Sequence, residues 1–389
     1  MFRRVSFSGL LLTACLWAGF CVQNGGAVAY AQSDYLVGWF DNEAGIHRLS
    51  AIGRSKAKIV MPYNSKWFEA AKARKYLDEA QRNGLLVIVD CYTRPEWNIP
   101  SSRLTDIARA TKGHPALAGY YIADEPEYSL SAGFGTDTNR KVDYIRLQRE
   151  AVKAGNSDAV FWMVFANEVK AEYLDRDDNV MVDYYPGWTD PQVDVFHKYV
   201  RRSWLRWREA SEVAKKAGRR FYAVGLAFHL PNDPKSARQL TREEMRYHFF
   251  TGVVANSEGF LFYKYNRTTS GYREMVGEVF SQMEHLGPAL VQGGMNDPSI
   301  RISVGSDKVV HRYGVHPTTG MKALVAVNVA RWEASDNEGE VLANVQFTVP
   351  QSVKEGTISV DGEGRTLALT GSSFVDDFSP FQVHIYTWY

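Results

Sequence analysis

The sequence predicts a (β/α)8 barrel followed by a small antiparallel β-sandwich. Three observations carry that prediction. Short apolar runs and amphipathic stretches alternate eight times between residue 35 and about residue 290, over roughly the 250 residues such a barrel occupies. The runs are rich in Val, Ile, Phe and Tyr, as strands buried on both faces are. Beyond Gln292 the helical period ends, and β-like runs broken by Asp-, Gly- and Pro-containing turns follow.

The barrel strands are expected at 35–40, 57–62, 85–90, 117–123, 159–165, 180–184, 221–227 and 259–263. Between them, 66–82 sets Phe68, Ala71, Tyr76, Leu77 and Ala80 among charges, the mark of a helix with one buried face. The stretches 140–154, 191–217, 238–254 and 272–286 behave likewise, and Asn83-Gly84 and Gly218 are helix stops. A doubly wound open sheet usually has fewer strands, and no Gly-x-Gly-x-x-Gly follows the first run. Downstream strands are expected at 300–304, 309–315, 323–329, 341–349, 356–360, 366–369 and 382–388. They make a sandwich of about 95 residues. The expected division is a leader at 1–31, a barrel at 32–291 and a β domain at 292–389.

The leader has Arg3 and Arg4, an apolar run from Phe7 to Cys21, and the small-residue site Ala29-Tyr30-Ala31. That is the pattern of a cleaved secretory signal, so the mature protein is expected outside the cell or in the periplasm. The apolar run continues past Cys15, which argues against lipid attachment there. No later run is long and apolar enough for a membrane span. Cys15 and Cys21 fall in the leader, so Cys91 stands alone and no internal disulfide is expected. The formal charge of +1 comes close to zero once the leader's arginines are removed. With no long basic run, a nucleic-acid partner is not expected. Oligomeric state is left open.

Barrel sites form where the strands end. The ends supply Trp39, Phe40, Asp41 and Glu43 after strand one, and Tyr63, Asn64 and Trp67 after strand two. Strand three supplies Asp90 and Tyr92, with Arg94, Glu96 and Trp97 in its loop. Strand four supplies Asp124, Glu125 and Glu127; strand five Asn167 and Glu168; strand six Asp183, Tyr184, Tyr185 and Trp188. Strand seven ends Phe228-His229, and strand eight Tyr263-Lys264-Tyr265-Asn266. This acidic, aromatic set suits a neutral polyol stacked on rings and held by carboxylates, and not a phosphorylated ligand. The most pointed segment is Gly119-Tyr120-Tyr121-Ile122-Ala123-Asp124-Glu125-Pro126-Glu127, a strand delivering two carboxylates to the mouth. Histidine spacings of a metal site and the Gly-x-Ser-x-Gly elbow of a serine hydrolase are absent, so no metal and no cofactor is expected. Cys91 has no implied His partner and is expected to be packing.

These residues resemble a known group, the secreted clan A-type glycoside hydrolases, (β/α)8 barrels in which an acid/base Glu ends strand four. Their Asn-Glu-Pro is matched here by Asp124-Glu125-Pro126. The stretches Asp183-Tyr184-Tyr185-Pro186 and 259–265, and the C-terminal 380–386, are also similar to secreted relatives with an appended β domain. The resemblance covers nearly the whole mature chain on short motifs and singles out no one family. It implies hydrolysis of a poly- or oligosaccharide, with Glu125 as general acid/base and Asp124 positioning substrate. Asp183 is expected as second carboxylate. Trp39, Asp41, Tyr63, Asp90, Tyr92, Trp97, Tyr185, Trp188, Tyr263 and Lys264 are the candidate sugar contacts, Lys264 alternatively neutralising a site carboxylate. The resemblance fails at strand seven, where the clan's nucleophilic Glu has no counterpart. Three alternatives follow: a carboxylate from elsewhere, Asp183 or Asp90; substrate-assisted cleavage of 2-acetamido sugars by the Asp124/Glu125 pair, with Tyr184 or Tyr185 on the acetamido oxygen; or a non-catalytic glycan-binding envelope protein. Adjacent residues of a strand face opposite sides, so both Asp124 and Glu125 reach the mouth only if the strand bends.

Overall fold

The structure, a computed structural model, describes residues 34–42, 45–63, 69–166, 168–176, 178–186, 193–227, 239–330, 339–350 and 355–389. The expected leader lies outside these residues. Eight parallel strands close into a barrel in sequence order. They are β1 (Leu36–Asn42), β2 (Ile59–Tyr63), β3 (Leu86–Asp90), β4 (Leu117–Asp124), β5 (Phe161–Ala166), β6 (Asp178–Tyr184), β7 (Arg220–Leu226) and β8 (Gly259–Tyr263). The layer of helices outside them is built by α1 (Leu49–Arg54), α2 (Ala70–Arg82), α3 (Ser101–Thr111), two single turns α4 (Pro126–Ser129) and α5 (Ser131–Phe134), α6 (Thr138–Gly155), α7 (Val193–Lys216), α8 (Arg242–Val254) and α9 (Ser270–Leu290). Side chains alternate across the sheet. Phe40, Met61, Ile88, Tyr121, Trp162 and Leu261 fill the barrel interior. Val37, Trp39, Val60, Val89, Tyr120 and Phe260 pack outward under the helices.

The β domain starts with β9 (Gly294–Met295), soon after α9 ends. The others are β10 (Arg301–Ile302), β11 (Val309–Val315), β12 (Lys322–Asn328), β13 (Leu342–Thr348), β14 (Glu355–Val360), β15 (Arg365–Thr370), β16 (Ser373–Phe378) and β17 (Val383–Trp388). As expected, the segment after the barrel is antiparallel and all-β: its nine strands form one curled sheet in the order β10-β13-β16-β15-β14-β17-β12-β11-β9. It stays continuous because β14 pairs with both β15 and β17, while β16 joins β13 to β15. The sheet curls over its own core of Phe347, Phe374 and Tyr386, whose rings lie 4.8–5.4 Å apart.

The opposite face of β11, β12 and β17 shares the barrel's outer core through Val310, Val325, Val327 and Ile385. Arg312 crosses this seam. Its Nη1 donates to the carbonyls of Val253 and Ser257 at 2.9 and 2.8 Å. Val253 lies in the last turn of α8 and Ser257 in the segment just beyond it, so β11 ties down the end of that helix.

Candidate active site

Strand β4 departs from regular pairing twice, and the departures build the site. Its register against β3 shifts at Gly119, and against β5 between Tyr121 and Ala123. Gly119 has φ +137°, and a Cβ there would lie 2.5 Å from the Val160 carbonyl oxygen, so only glycine fits. The second bulge sends Ile122 and Ala123 both outward. Tyr121 and Asp124, three residues apart, then both face the interior: the Tyr121 hydroxyl donates to Asp124 Oδ1 at 2.5 Å. Bulges near barrel rims commonly re-aim side chains in this way.

The bend needed for Glu125 is also present. Its backbone is left-handed, φ 41° and ψ 59°, a conformation costing a non-glycine residue about 1–3 kcal/mol. The segment is tied on both sides. The Glu125 amide donates to the Val164 carbonyl at 2.8 Å, and its carbonyl accepts from the Tyr128 and Ser129 amides at 2.8 Å. Ser129 Oγ donates to the Asp124 carbonyl. Pro126 follows, where a missing N–H is harmless at a helix start.

Asp124 sits between two phenols. Tyr63 donates to Oδ2 and Tyr121 to Oδ1, each at 2.5 Å. Burial raises its pKa, while the two hydroxyls and the Arg94 charge pull it back. Glu125 is raised by burial and by the charge of Asp124. It is hydrogen-bonded to Asp183 at the end of β6, which is 7% exposed and bonded in turn to Tyr185. Burial and then Glu125 push Asp183 well above the carboxylate range, and its Oδ1 has no partner among the described residues. Two carboxyls in hydrogen-bond contact cannot both ionise readily, so the pair carries a proton beyond the ordinary carboxylate range. Behind them, Glu127 Oε1 accepts from the Ala166 amide at 2.9 Å, and burial raises that carboxyl to about 7.

Aromatic rings line the surrounding mouth. Tyr185 and Tyr263 stack at 5.7 Å and 25°. Tyr263 meets Phe40 and Tyr63 edge-on at 5.8 and 6.1 Å. On the β3 side Trp97 stands against Tyr92 at 5.4 Å. Thus Glu125, Asp124, Asp183, Tyr63, Tyr92, Trp97, Tyr185 and Tyr263 come together.

Several expected site residues do not join them. Trp39 is fully buried on the outer face of β1, packed on Phe262, Tyr265 and Phe280. Asp41, two residues on, shares that face; both its oxygens accept from Arg48 Nε, at 2.8 and 3.1 Å. Each is a structural residue because β1 runs regularly and Phe40, not its neighbours, points inward. Asp90 is fully buried and accepts the Tyr92 amide at 3.0 Å, so it supports the loop after β3 instead of meeting solvent. Lys264 places Nζ 5.1 Å from the centre of the Tyr263 ring. Tyr184 faces outward onto Trp207. Glu168 is exposed and paired with Lys170. Trp188, with Glu43, Asn64, Trp67, Asn167, Phe228 and His229, lies outside the described residues. Cys91 is buried in the outer core. Tyr121 was invisible as a site residue, since only the bulge brings it to Asp124. Among the described residues no group of three or more His, Cys, Asp or Glu is placed to hold a metal ion, and no helix is long and apolar enough to cross a membrane.

No family model matches the chain, and no curated protein matches it in sequence. Solved structures match it in fold. A protein described as a glycoside hydrolase superposes with a TM-score of 0.59 at 10% identity, covering 91% of this chain and 92% of that one. A glycoside hydrolase family 5 protein of Bacteroides vulgatus gives 0.58 at 10% identity, covering 90% and 88%. The fold resembles that of several clan A glycoside hydrolases. An α-amylase of Geobacillus thermoleovorans, solved with acarbose, gives 0.56 at 10% identity, covering 92% and 98%. Coverage this complete takes in the appended β domain as well as the barrel, and identity this low speaks of architecture alone.

Proposed function

We propose that the protein is an exported glycoside hydrolase acting on a poly- or oligosaccharide, with its site on the barrel division 32–291 and Glu125 as the group that hands a proton to the leaving sugar oxygen. The observation that carries this reading is the Glu125–Asp183 hydrogen bond at the mouth. Glu125 is the half-exposed member and Asp183 the buried one. The pair is a loaded proton donor beside a second acid, Asp124, which burial raises and two phenol donors partly bring back. A carboxyl held protonated at the mouth suits acid–base work on a glycosidic bond, where positive charge develops at the sugar ring. Asp124 would face that charge.

The contact between the two carboxyls favours a part for Asp183 other than the second carboxylate expected. Acid and nucleophile of a retaining pair stand about 5–5.5 Å apart, and an inverting pair about 6.5–9.5 Å. Two carboxyls in hydrogen-bond contact leave no room for a sugar between them. Asp183 therefore serves as proton partner to Glu125. The tyrosines already on both Asp124 oxygens favour a fixed charge there over a holder of an acetamido N–H.

The test is release of reducing ends from a panel of bacterial and plant polysaccharides. Glu125→Gln should abolish it while glycan binding and fold persist. Full turnover by that variant refutes the assignment. Saturable binding by the unaltered protein, with no release over long incubation, would identify a glycan-binding protein instead.

A further inference from the structure

We propose that Arg94 selects an anionic saccharide: its guanidinium edge receives the carboxylate of a uronosyl residue bound beside Glu125, on the β3 side of the mouth. The inference rests on the hydrolase reading above for the ligand being a sugar. Arg94 is extended (φ −120°, ψ 149°) immediately before the 3-10 turn Pro95–Trp97. Its guanidinium carbon lies 5.6 Å from the Tyr92 ring centre and 5.5 Å from that of Trp97. Its Nε donates to Tyr92 Oη at 2.5 Å. Two rings and one hydrogen bond fix the plane of the group.

That anchoring uses Nε and leaves the other edge. Neither Nη1 nor Nη2 has a partner among the described residues, and neither is a buried orphan. Paired terminal N–H groups match a planar carboxylate bidentately. The Tyr92 ring that anchors Arg94 lies 6.1 Å from that of Tyr121, whose hydroxyl donates to Asp124, so an anion on this edge would belong to a sugar next to the bond being cleaved. If Arg94 served only to balance the carboxylates it would bond one, yet no ion pair to it occurs among the described residues. The other described cations nearby are engaged elsewhere: Lys264 lies over Tyr263 and Lys170 pairs with Glu168. In a mouth otherwise acidic, this is the place where an anionic sugar gains rather than loses.

The experiment compares uronosyl oligosaccharides with the same oligosaccharides after carboxyl reduction to neutral sugars. Cleavage is measured for the wild type, Arg94→Gln and Arg94→Lys, and binding for the catalytically disabled Glu125→Gln and for Glu125→Gln/Arg94→Gln. The wild type should favour the uronosyl form by about tenfold or more in kcat/KM, the scale of a charge-assisted bidentate contact. Arg94→Gln should bring the ratio near one, chiefly through KM. Arg94→Lys, keeping charge without the fork, should recover part of it. An indifferent wild type, or a preference that survives Arg94→Gln, overturns the proposal. So does a variant that shifts only the pH profile, since that makes Arg94 a tuner of carboxylates. If nothing is cleaved yet uronosyl binding still depends on Arg94, the hydrolase reading falls and this inference stands; if neither form binds, both fall.

Discussion

Strands β1 and β4 end in the same kinds of residue and do opposite work. β1 finishes Trp39-Phe40-Asp41-Asn42 and β4 finishes Tyr121-Ile122-Ala123-Asp124, followed by Glu125. On β1 the regular alternation sends the tryptophan and the acid outward, where Trp39 packs on three rings and Asp41 holds Arg48. On β4 two register shifts and a left-handed residue bring Tyr121, Asp124 and Glu125 to one side. Acid-plus-aromatic composition at a strand end is thus common to structure and chemistry, and the backbone irregularity separates them.

Substitutions sharpen the contrast. The largest effect is expected from Glu125→Gln, a loss of about 10²–10⁴-fold in turnover, the range general acids supply, with little change in thermal stability; reducing-end assays and calorimetry check both. On β1 the signs exchange. Trp39→Ala should cost about 3–5 kcal/mol for a buried indole, and Asp41→Asn about 3 kcal/mol for a broken buried pair, read by denaturant unfolding, while kcat of the folded fraction holds. A stable Trp39→Ala that loses activity would break the comparison.

Asp183→Asn comes next. The variant lacks the carboxyl that holds the pair's last proton longest, so the alkaline limb of the rate profile should move to lower pH. Stability should respond too. A carboxyl whose folded pKa lies above its unfolded value supports the fold fully below the unfolded value, about 4, and progressively less as pH rises. The variant should therefore gain Tm relative to the wild type between pH 4 and pH 8. Smallest is Tyr63→Phe, which leaves Asp124 Oδ2 without its hydroxyl. Asp124 then holds its proton to higher pH, and the acid limb should rise with about a tenfold loss or less.

Much of the fold was legible in the sequence. Eight apolar runs with helices between them specify a barrel because every strand is buried on both faces, and the strand-four acids stood at a strand end by position alone. The same double burial hides the phase of alternation: nothing in Leu36-Val37-Gly38-Trp39-Phe40 tells which face is inner, so Trp39 and Asp41 were expected at the mouth. The bulge at Ile122 and the turn at Glu125 are set by tertiary pairing with Val164 and Ser129, which no local pattern announces. Strand β16 was missed because Asp376-Asp377 breaks its apolar rhythm; Asp376 is in fact paired with Arg365 and Tyr386. The proton sharing of Glu125 and Asp183, 58 positions apart in sequence, needed the closed barrel.

That shared proton is most directly seen by infrared titration of carboxyl C=O stretching in Glu127→Gln protein, which removes the other carboxyl raised to about 7. A protonated carboxyl should persist beyond the ordinary carboxylate range near 4, and vanish on adding Asp183→Asn or Glu125→Gln. A spectrum in which every carboxyl has ionised by about pH 5, unchanged by either substitution, would contradict it.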